Sequence, residues 1–484
     1  MAEHVPRPTH GTRPTPGTGP TVAVVGGGIS GLATAHRLRT LLGDAARIVV
    51  CERSGGIGGV LHTVDLAGVA VDVGAEAFLA RRPEVPALLA ELGLADVVVH
   101  PTRAAASIRA GGRTGPLPAG TLMGVPTSAA RLDGVLSAAG LAAVAAEPHR
   151  PLHWRPGADV ALGGLLRERF GPEIADRVAD PLLGGVYAGR VDALGVRATV
   201  PALAAALDAG ASSLTAAADA AAPAPSVAAG PVFGAVRGGY RVLLDALTAA
   251  ARPELRLDTT VRTLERTAAG WRLVLGPVPA PEYLDADAVV LAVPAPAVRR
   301  LLADAVPAAA AAAARIELAS SVVVAMAYRA ADVAALPPTS GVLVAADEPL
   351  SIKAATHTST KWGHLAPDAT DGHYRLRTSL GRFGEAHTLQ VDDETLVDRA
   401  RADLATLHAI TAAPVAVHVQ RWGGGLPQYG VGHIGTVAAL EAAVAAAPRL
   451  AVAGAALHGV GVPACIGTAR AAADHVASAL AVLR

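Results

Sequence analysis

The sequence predicts an α/β fold in which one nucleotide-binding domain is assembled from separated stretches of chain. Three observations carry this: a strand, glycine turn and helix near the start; a second strand ending in an acid about twenty residues later; and a strand–glycine–helix pattern that returns at the end of the 484 residues. Between them lie a long helical stretch and a strand-rich one, which predict a helical insert and a second domain with a mixed sheet.

The first element is "VAVVGGGISGLATAHRL", residues 22–38. Gly26 allows the turn, Gly28 admits a pyrophosphate, and Gly31 lets helix and strand pack closely. The helix start, with Ile29 and Ser30 in its first turn, faces phosphates with unpaired N–H groups and a partial positive charge. "ARIVVCER" reads as the second strand, ending in Glu52 and Arg53, where an acid accepts hydrogen bonds from ribose hydroxyls. Cys51 reads as a small buried core residue. Gly58 and Gly59 follow, then a hairpin around "DLAG", then Asp72, Gly74 and Glu76. A nicotinamide enzyme would continue with a helix here. The paired glycines instead let backbone lie against a longer cofactor, which points to FAD.

Composition bounds the alternatives. Lysine plus arginine and aspartate plus glutamate number 41 each, so no global field favours nucleic acid or a membrane surface. The only lysines are Lys353 and Lys361, and both read as exposed. Cys51 and Cys465 lie far apart, which argues against a disulfide framework or a metal site and for a reducing cytoplasm. Residues 1–20 are rich in Pro, Gly and Thr, a flexible leader and not a secretory signal. The apolar runs, such as "GVLSAAGLAAVAA" at 134–146, are shorter than the roughly 20 residues of a spanning helix. No transmembrane segment is expected, while peripheral contact with a membrane stays open.

Residues 104–222 read as helical, ending in "TAAADAAAPAPSVAAG", a loop or frayed linker. Strand patterns return in "LRLDTTVRTLERTAAGWRLVLG" and "DAVVLAVP". A mixed segment spans about 315–425. In the last stretch a strand reaches Gly454, a loop carries Gly459 and Gly461, and Pro463 opens a helix whose N-terminus suits flavin carbonyl or phosphate oxygens. His458, beside that loop, reads equally as structural or functional.

Several blocks resemble the protoporphyrinogen and coproporphyrinogen oxidases of haem biosynthesis, in that family's order and over essentially everything after residue 20. They are "GAEAFLARRPEVPALLAELGL", "DPLLGGVYAGRVDALGVRATVPAL", "GAVRGGYRVLLDAL", "STKWGH", "RWGGGLPQYGVGHI" and "GVGVPACIGTARAAADHV". The resemblance implies a discontinuous Rossmann-like FAD-binding domain of the p-hydroxybenzoate hydroxylase and amine oxidase type, from 21–103, 230–300 and 430–484. It implies a helical insert at 104–222 over the tetrapyrrole cleft, also the candidate for membrane contact, and a substrate domain at 301–429. Glu52 and the main chain of Val261 would then grip the adenosine end, and Gly58 and Gly59 would line the ribityl chain. Gly454, Val460, Gly461 and Val462 would lie about the flavin.

The implied reaction is a six-electron oxidation of coproporphyrinogen III to coproporphyrin III, with oxygen as acceptor and hydrogen peroxide released. The flavin carries that chemistry, so no general base is nominated. Propionate carboxylates call for arginine. Arg81 and Arg82 are the candidates by position, or else a solvated pair at a helix start. Tyr187 lines the cleft or packs in the core. Cys465 stands in a family-like position and implies no covalent link to FAD. The high-GC composition leans toward coproporphyrinogen over protoporphyrinogen IX. An amine oxidase, a carotenoid desaturase and a non-enzymatic FAD protein remain as alternatives. A haem-pathway enzyme is an expected partner.

Overall fold

The computed structural model of the protein describes residues 19–222 and 230–482. Residues 1–18 of the expected leader, and 223–229 of the expected linker, lie outside the described residues.

The strand Thr21–Val25 is a run of small and β-branched side chains buried on both faces, which suits the middle of a parallel sheet. It pairs in parallel with Arg47–Cys51 on one side and Ala288–Leu291 on the other. Glu254–Arg256 and Leu450–Val452 complete a five-stranded parallel sheet in the spatial order 254–256, 47–51, 21–25, 288–291, 450–452. Three distant portions of chain therefore build one sheet. The helices Ile29–Leu42 and Val462–Ala481 pack together on it, with Thr34 Oγ1 donating to the Ala469 carbonyl at 3.4 Å and Arg37 paired to Asp474 at 2.7 Å. On the other face an antiparallel sheet of Val261–Arg266, Trp271–Leu275 and Glu282–Ala286 shares a core with the helices Ala295–Leu302, Pro307–Ala313 and His433–Ala445.

The second layer is a seven-stranded mixed sheet ordered 416–427, 318–329, 373–380, 352–356, 341–344, 106–110, 113–116. One face packs on the helix Asp393–His408. The other meets the hairpin Thr63–Leu66 and Val69–Asp72, and the helical insert that runs from about residue 138 to 221.

The insert differs from the sequence reading in two places. The stretch expected to be helical opens with four strands, Ala106–Ala110, Arg113–Pro116, Ala119–Leu122 and Val125–Arg131, of which the first two extend the seven-stranded sheet. Their side chains are largely Ala, Gly, Thr and Arg, which hide the alternation that partner strands impose. The linker expected from Thr215 onward begins as a helix, Leu214–Ala221, with Ser213 accepting from the Ala216 N–H at 3.0 Å. Glu147, fully buried, fixes that helix: its carboxylate accepts from the Leu214 and Thr215 N–H groups, the Thr215 hydroxyl and Arg169.

Candidate functional site: a dinucleotide cradle between two layers

The turn after the first strand is built by glycines with no space for anything else. Gly26 has φ +108°, and a Cβ there would meet the Ala292 carbonyl oxygen at 2.3 Å. A Cβ on Gly31 would sit 1.8 Å from the Gly26 carbonyl oxygen, so helix and strand can pack this closely only without one. Gly28 caps the helix with extended backbone and no side-chain cap, leaving the first N–H groups turned to the turn mouth. Ile29 packs into the core below, and Ser30 is buried.

Glu52 closes the other side. Its Oε2 accepts from Gly27 N at 2.7 Å, and its Oε1 accepts from Ser54 N and Oγ at 2.9 and 2.8 Å. Arg53 is exposed. Gly58 and Gly59 return to the same turn: Gly58 bridges to Gly28, and its N–H donates to the Gly27 carbonyl at 2.9 Å. A Cβ on Gly59 would lie 3.4 Å from Gly28 Cα. The two glycine groups thus form one backbone-lined cradle, and side chains would fill it. Val261 is buried in its strand, its carbonyl accepting from Arg300 at 2.9 Å.

The last strand delivers the second glycine loop to the same end of the sheet. A Cβ on Gly454 would stand 3.9 Å from Ser30 Oγ, and the Gly454 N–H donates to Thr468 Oγ1 at 3.1 Å. Gly461 caps the helix Val462–Ala481, again with no side-chain cap. Val462 packs in the core of the first helix, whereas Val460 packs on the core of the insert. The loop spans the boundary between layers. Tyr429 holds it there, its hydroxyl donating to the Ala455 carbonyl and accepting from Gly459 N, both at 2.7 Å.

Tyr187 ends a helix of the insert and is 8% exposed, with its ring centroid 5.4 Å from Tyr429, which stacks in turn on His433 at 3.8 Å. This aromatic group joins segments 240 residues apart, so spacing along the chain gives no sign of it. Arg81 and Arg82 stand elsewhere. Both are exposed; Arg82 pairs with Glu84 and lines a cavity of about 380 Å³ along the outer side of the C-terminal helix, which Tyr187 does not line. His458, on that cavity's rim, is paired to Glu441 at 2.7 Å.

Both lysines, expected on the surface, are instead taken inward. Lys353 is 8% exposed, turned to the end of the neighbouring strand, and Lys361 is half-buried against a partner from a remote segment. Lys353 Nζ donates to the Gly381 carbonyl at 2.7 Å, and burial pushes its pKa down to about 7. Lys361 meets Glu76, which also accepts from Arg377, both at 3.0 Å, and from the Trp362 indole. Burial pushes the Glu76 carboxyl up, but the two cations and the hydrogen bonds outweigh it and hold it at about 2. Glu76 and Tyr429 are residues to which the sequence reading gave no role, and Lys353 one that it read as exposed by default, with facing substrate as the alternative. Cys51 and Cys465 are free thiols, both raised to about 11 by burial.

Fold and cradle together define an oxidoreductase-type protein that holds an extended dinucleotide between a parallel sheet and a mixed one. The chain belongs to the flavin containing amine oxidoreductase family, whose model matches residues 29–477, and FAD is its cofactor. Proteins named coproporphyrinogen III oxidase are similar over nearly their whole length. That of Mycobacterium tuberculosis is 46% identical over 457 residues, 94% of this chain and 97% of its own. That of Mycobacterium leprae is 45% identical, over 95% and 98%. Among solved structures, one from Exiguobacterium sp. 255-15 superposes with a TM-score of 0.81 at 30% identity, covering 95% of this chain and 99% of that one. Cyclohexylamine oxidase from Brevibacterium oxydans, with a TM-score of 0.68 at 16% identity, shares the fold. Among the described residues no helix is long and apolar enough to cross a membrane.

Proposed function

We infer that this chain oxidises coproporphyrinogen III to coproporphyrin III in haem biosynthesis, using FAD and passing the electrons to oxygen with release of hydrogen peroxide. The observation that carries the reading is end-to-end similarity, 46% over 94% of the chain, to proteins of that name. Bound FAD supplies a two-electron acceptor, used three times per substrate.

The chain's own residues do the rest. Gly26, Gly28, Ile29, Ser30 and Gly31 hold the pyrophosphate on the first helix N-terminus, and Glu52 with Arg53 stands at the ribose. Val261 lies at the adenine, Gly58 and Gly59 along the ribityl chain, and Gly454 with Val460–Val462 at the ring. The tetrapyrrole would be taken where the insert meets the seven-stranded sheet, beside Tyr187, and water excluded there. We keep the division into a nucleotide-binding domain at 21–103, 230–300 and 430–484, an insert at 104–222 and a substrate domain at 301–429. The strands at 106–116 are then the part of the insert that joins the substrate sheet. A cytoplasmic setting fits two buried free thiols, and a later haem-pathway enzyme is the expected recipient of the product.

The test gives the purified FAD-loaded protein coproporphyrinogen III and protoporphyrinogen IX in parallel, in air, and follows porphyrin fluorescence and peroxide. Faster turnover of coproporphyrinogen is expected. Faster protoporphyrinogen turnover would move the assignment to that substrate, and no porphyrin from either would overturn it.

A further inference from the structure

The helix Asp180–Tyr187 and the seven-stranded sheet enclose charged side chains that the reading above leaves without a task. Lys353 sits in a bulge, where the pairing of its strand shifts between Ile352 opposite Leu380 and Ala354 opposite Ser379. Ile352 packs into the core on the Asp393–His408 side. Lys353 is directed at a different set of groups: its ammonium has three donors, it meets the Gly381 carbonyl, and Arg382, Glu385 and Asp180 act on its charge. Arg190 pairs with Glu385 at the more exposed end of this group.

Two buried acceptors border the end of this helix, about Gly184 and Gly189, and receive no hydrogen bond. Asp180 is 2% exposed; its Oδ1 takes the Val191 N–H at 3.0 Å, while its Oδ2, 3.6 Å from Arg382 Nε, makes no hydrogen bond. Gln428 is 4% exposed and donates to the Tyr187 carbonyl at 2.8 Å, yet its Oε1 is also unpartnered. A buried acceptor left unpaired is costly, and enclosed polar groups of this kind are met by bound water. Gln428 thus links this group to Tyr187, whose ring packs on Tyr429, the residue that supports the glycine loop.

We propose that Lys353, oriented by Asp180, accepts the protons that the porphyrinogen releases, through water held among Lys353 Nζ, Asp180 Oδ2 and Gln428 Oε1. The proposal rests on the porphyrinogen reading. Bound FAD would take a hydride in each of three two-electron steps, each from a meso C–H bond. In two of the steps a pyrrole N–H bond breaks, its electron pair becoming part of a new C=N bond, and in the third the proton comes from the remaining meso CH2, so that four meso and two N–H hydrogens are lost in all. The freed proton forms an N–H bond on the neutral Lys353 amine and passes to solvent by the Arg190–Glu385 end before the next step. Burial and Arg382 favour the neutral amine, against Glu385 and Asp180, so both forms are accessible near neutrality.

The test uses FAD-loaded wild type, Lys353→Met and Asp180→Asn. In wild type, kcat for coproporphyrinogen falls on the acid side, as the amine becomes protonated, with a midpoint near pH 7. Lys353→Met loses that limb, lowers kcat about 100-fold and leaves KM within about twofold. A potentiometric difference titration against wild type, which needs no turnover, lacks one group near neutrality. Asp180→Asn removes the anion, so the limb moves to lower pH. Lys353→Met with an unaltered profile and kcat, or with raised KM alone, overturns the proposal, the latter marking Lys353 as a carboxylate-binding cation. Should Lys353→Met fail to hold flavin, an unmoved limb in Asp180→Asn overturns it. Wild type that forms no porphyrin overturns the underlying reading as well, so the two failures are distinct.

Discussion

Glu76 shows what a single side chain does where the two layers meet. It comes from the segment after the first hairpin, and its donors, Lys361, Trp362 and Arg377, all come from the substrate sheet and the turn beside it. Its folded pKa, about 2, lies below the ordinary glutamate value, so the stability it confers is present above that ordinary value and lost as pH falls toward 2. The shift corresponds to about 3 kcal/mol at neutral pH. Glu76→Gln is expected to destabilise by about 3 kcal/mol, because it leaves two half-buried cations without their anion. It also flattens the decline of stability between about pH 5 and 2. Urea midpoints at several pH values measure both. Of all this the sequence shows only the residue. Gly26, Gly31 and Glu52 were legible because their roles are set within about thirty residues of chain, whereas Lys361 read as surface because its partner Glu76 is 285 residues away; Lys353 read as surface because strand pairing and the helix Asp180–Tyr187, not spacing along the chain, bury it.

Among the elements, the glycine loop between the last strand and last helix depends on a support outside itself. Gly454 and Gly459 have φ of +130° and +140°, backbone that a loop of this composition does not hold alone. The Tyr429 hydroxyl ties both ends, and burial raises its pKa, so it stays a neutral donor throughout the working range. Tyr429→Phe keeps the ring against Tyr187 and removes only the hydroxyl. The expected cost is about 1–2 kcal/mol, felt as several-fold weaker FAD binding with little loss of secondary structure. Titration of apoprotein with FAD, followed by quenching of flavin fluorescence, reads the first, and far-ultraviolet circular dichroism the second. Unchanged FAD affinity would mean the loop is held by its own backbone. The same scale explains the missed strand Ala106–Ala110, whereas Ala119–Leu122 and Val125–Arg131 pair with each other as a local hairpin. Helix propensity is local and alanine satisfies it, but pairing beside Gly341–Val344 is decided by a segment more than 200 residues away.

For the whole molecule, the same separation of chain into one domain makes the cofactor a structural member. The five-stranded sheet draws on residues 21–51, 254–291 and 450–452, and the cradle is closed by loops from the first and last of these. The discontinuous plan was legible because each return to the sheet repeats a strand and a glycine turn. The packing of the insert on the mixed sheet was not, since their shared core draws on segments far apart in the chain. FAD bound across such a junction stabilises the folded state alone, by about 2.7 kcal/mol at a free concentration 100 times its dissociation constant. Its hold is expected to be non-covalent: the Cys465 thiol, beside Ser30, is buried and raised to about 11, which disfavours the nucleophilic thiolate near neutrality. Acid precipitation is therefore expected to leave the yellow colour in the supernatant, and thermal melts of apoprotein to rise as FAD is added. Flavin retained on the denatured chain would require a covalent bond that the chemistry of neither cysteine supports; a melting temperature indifferent to FAD would mean that the sheet and its inserts close without it.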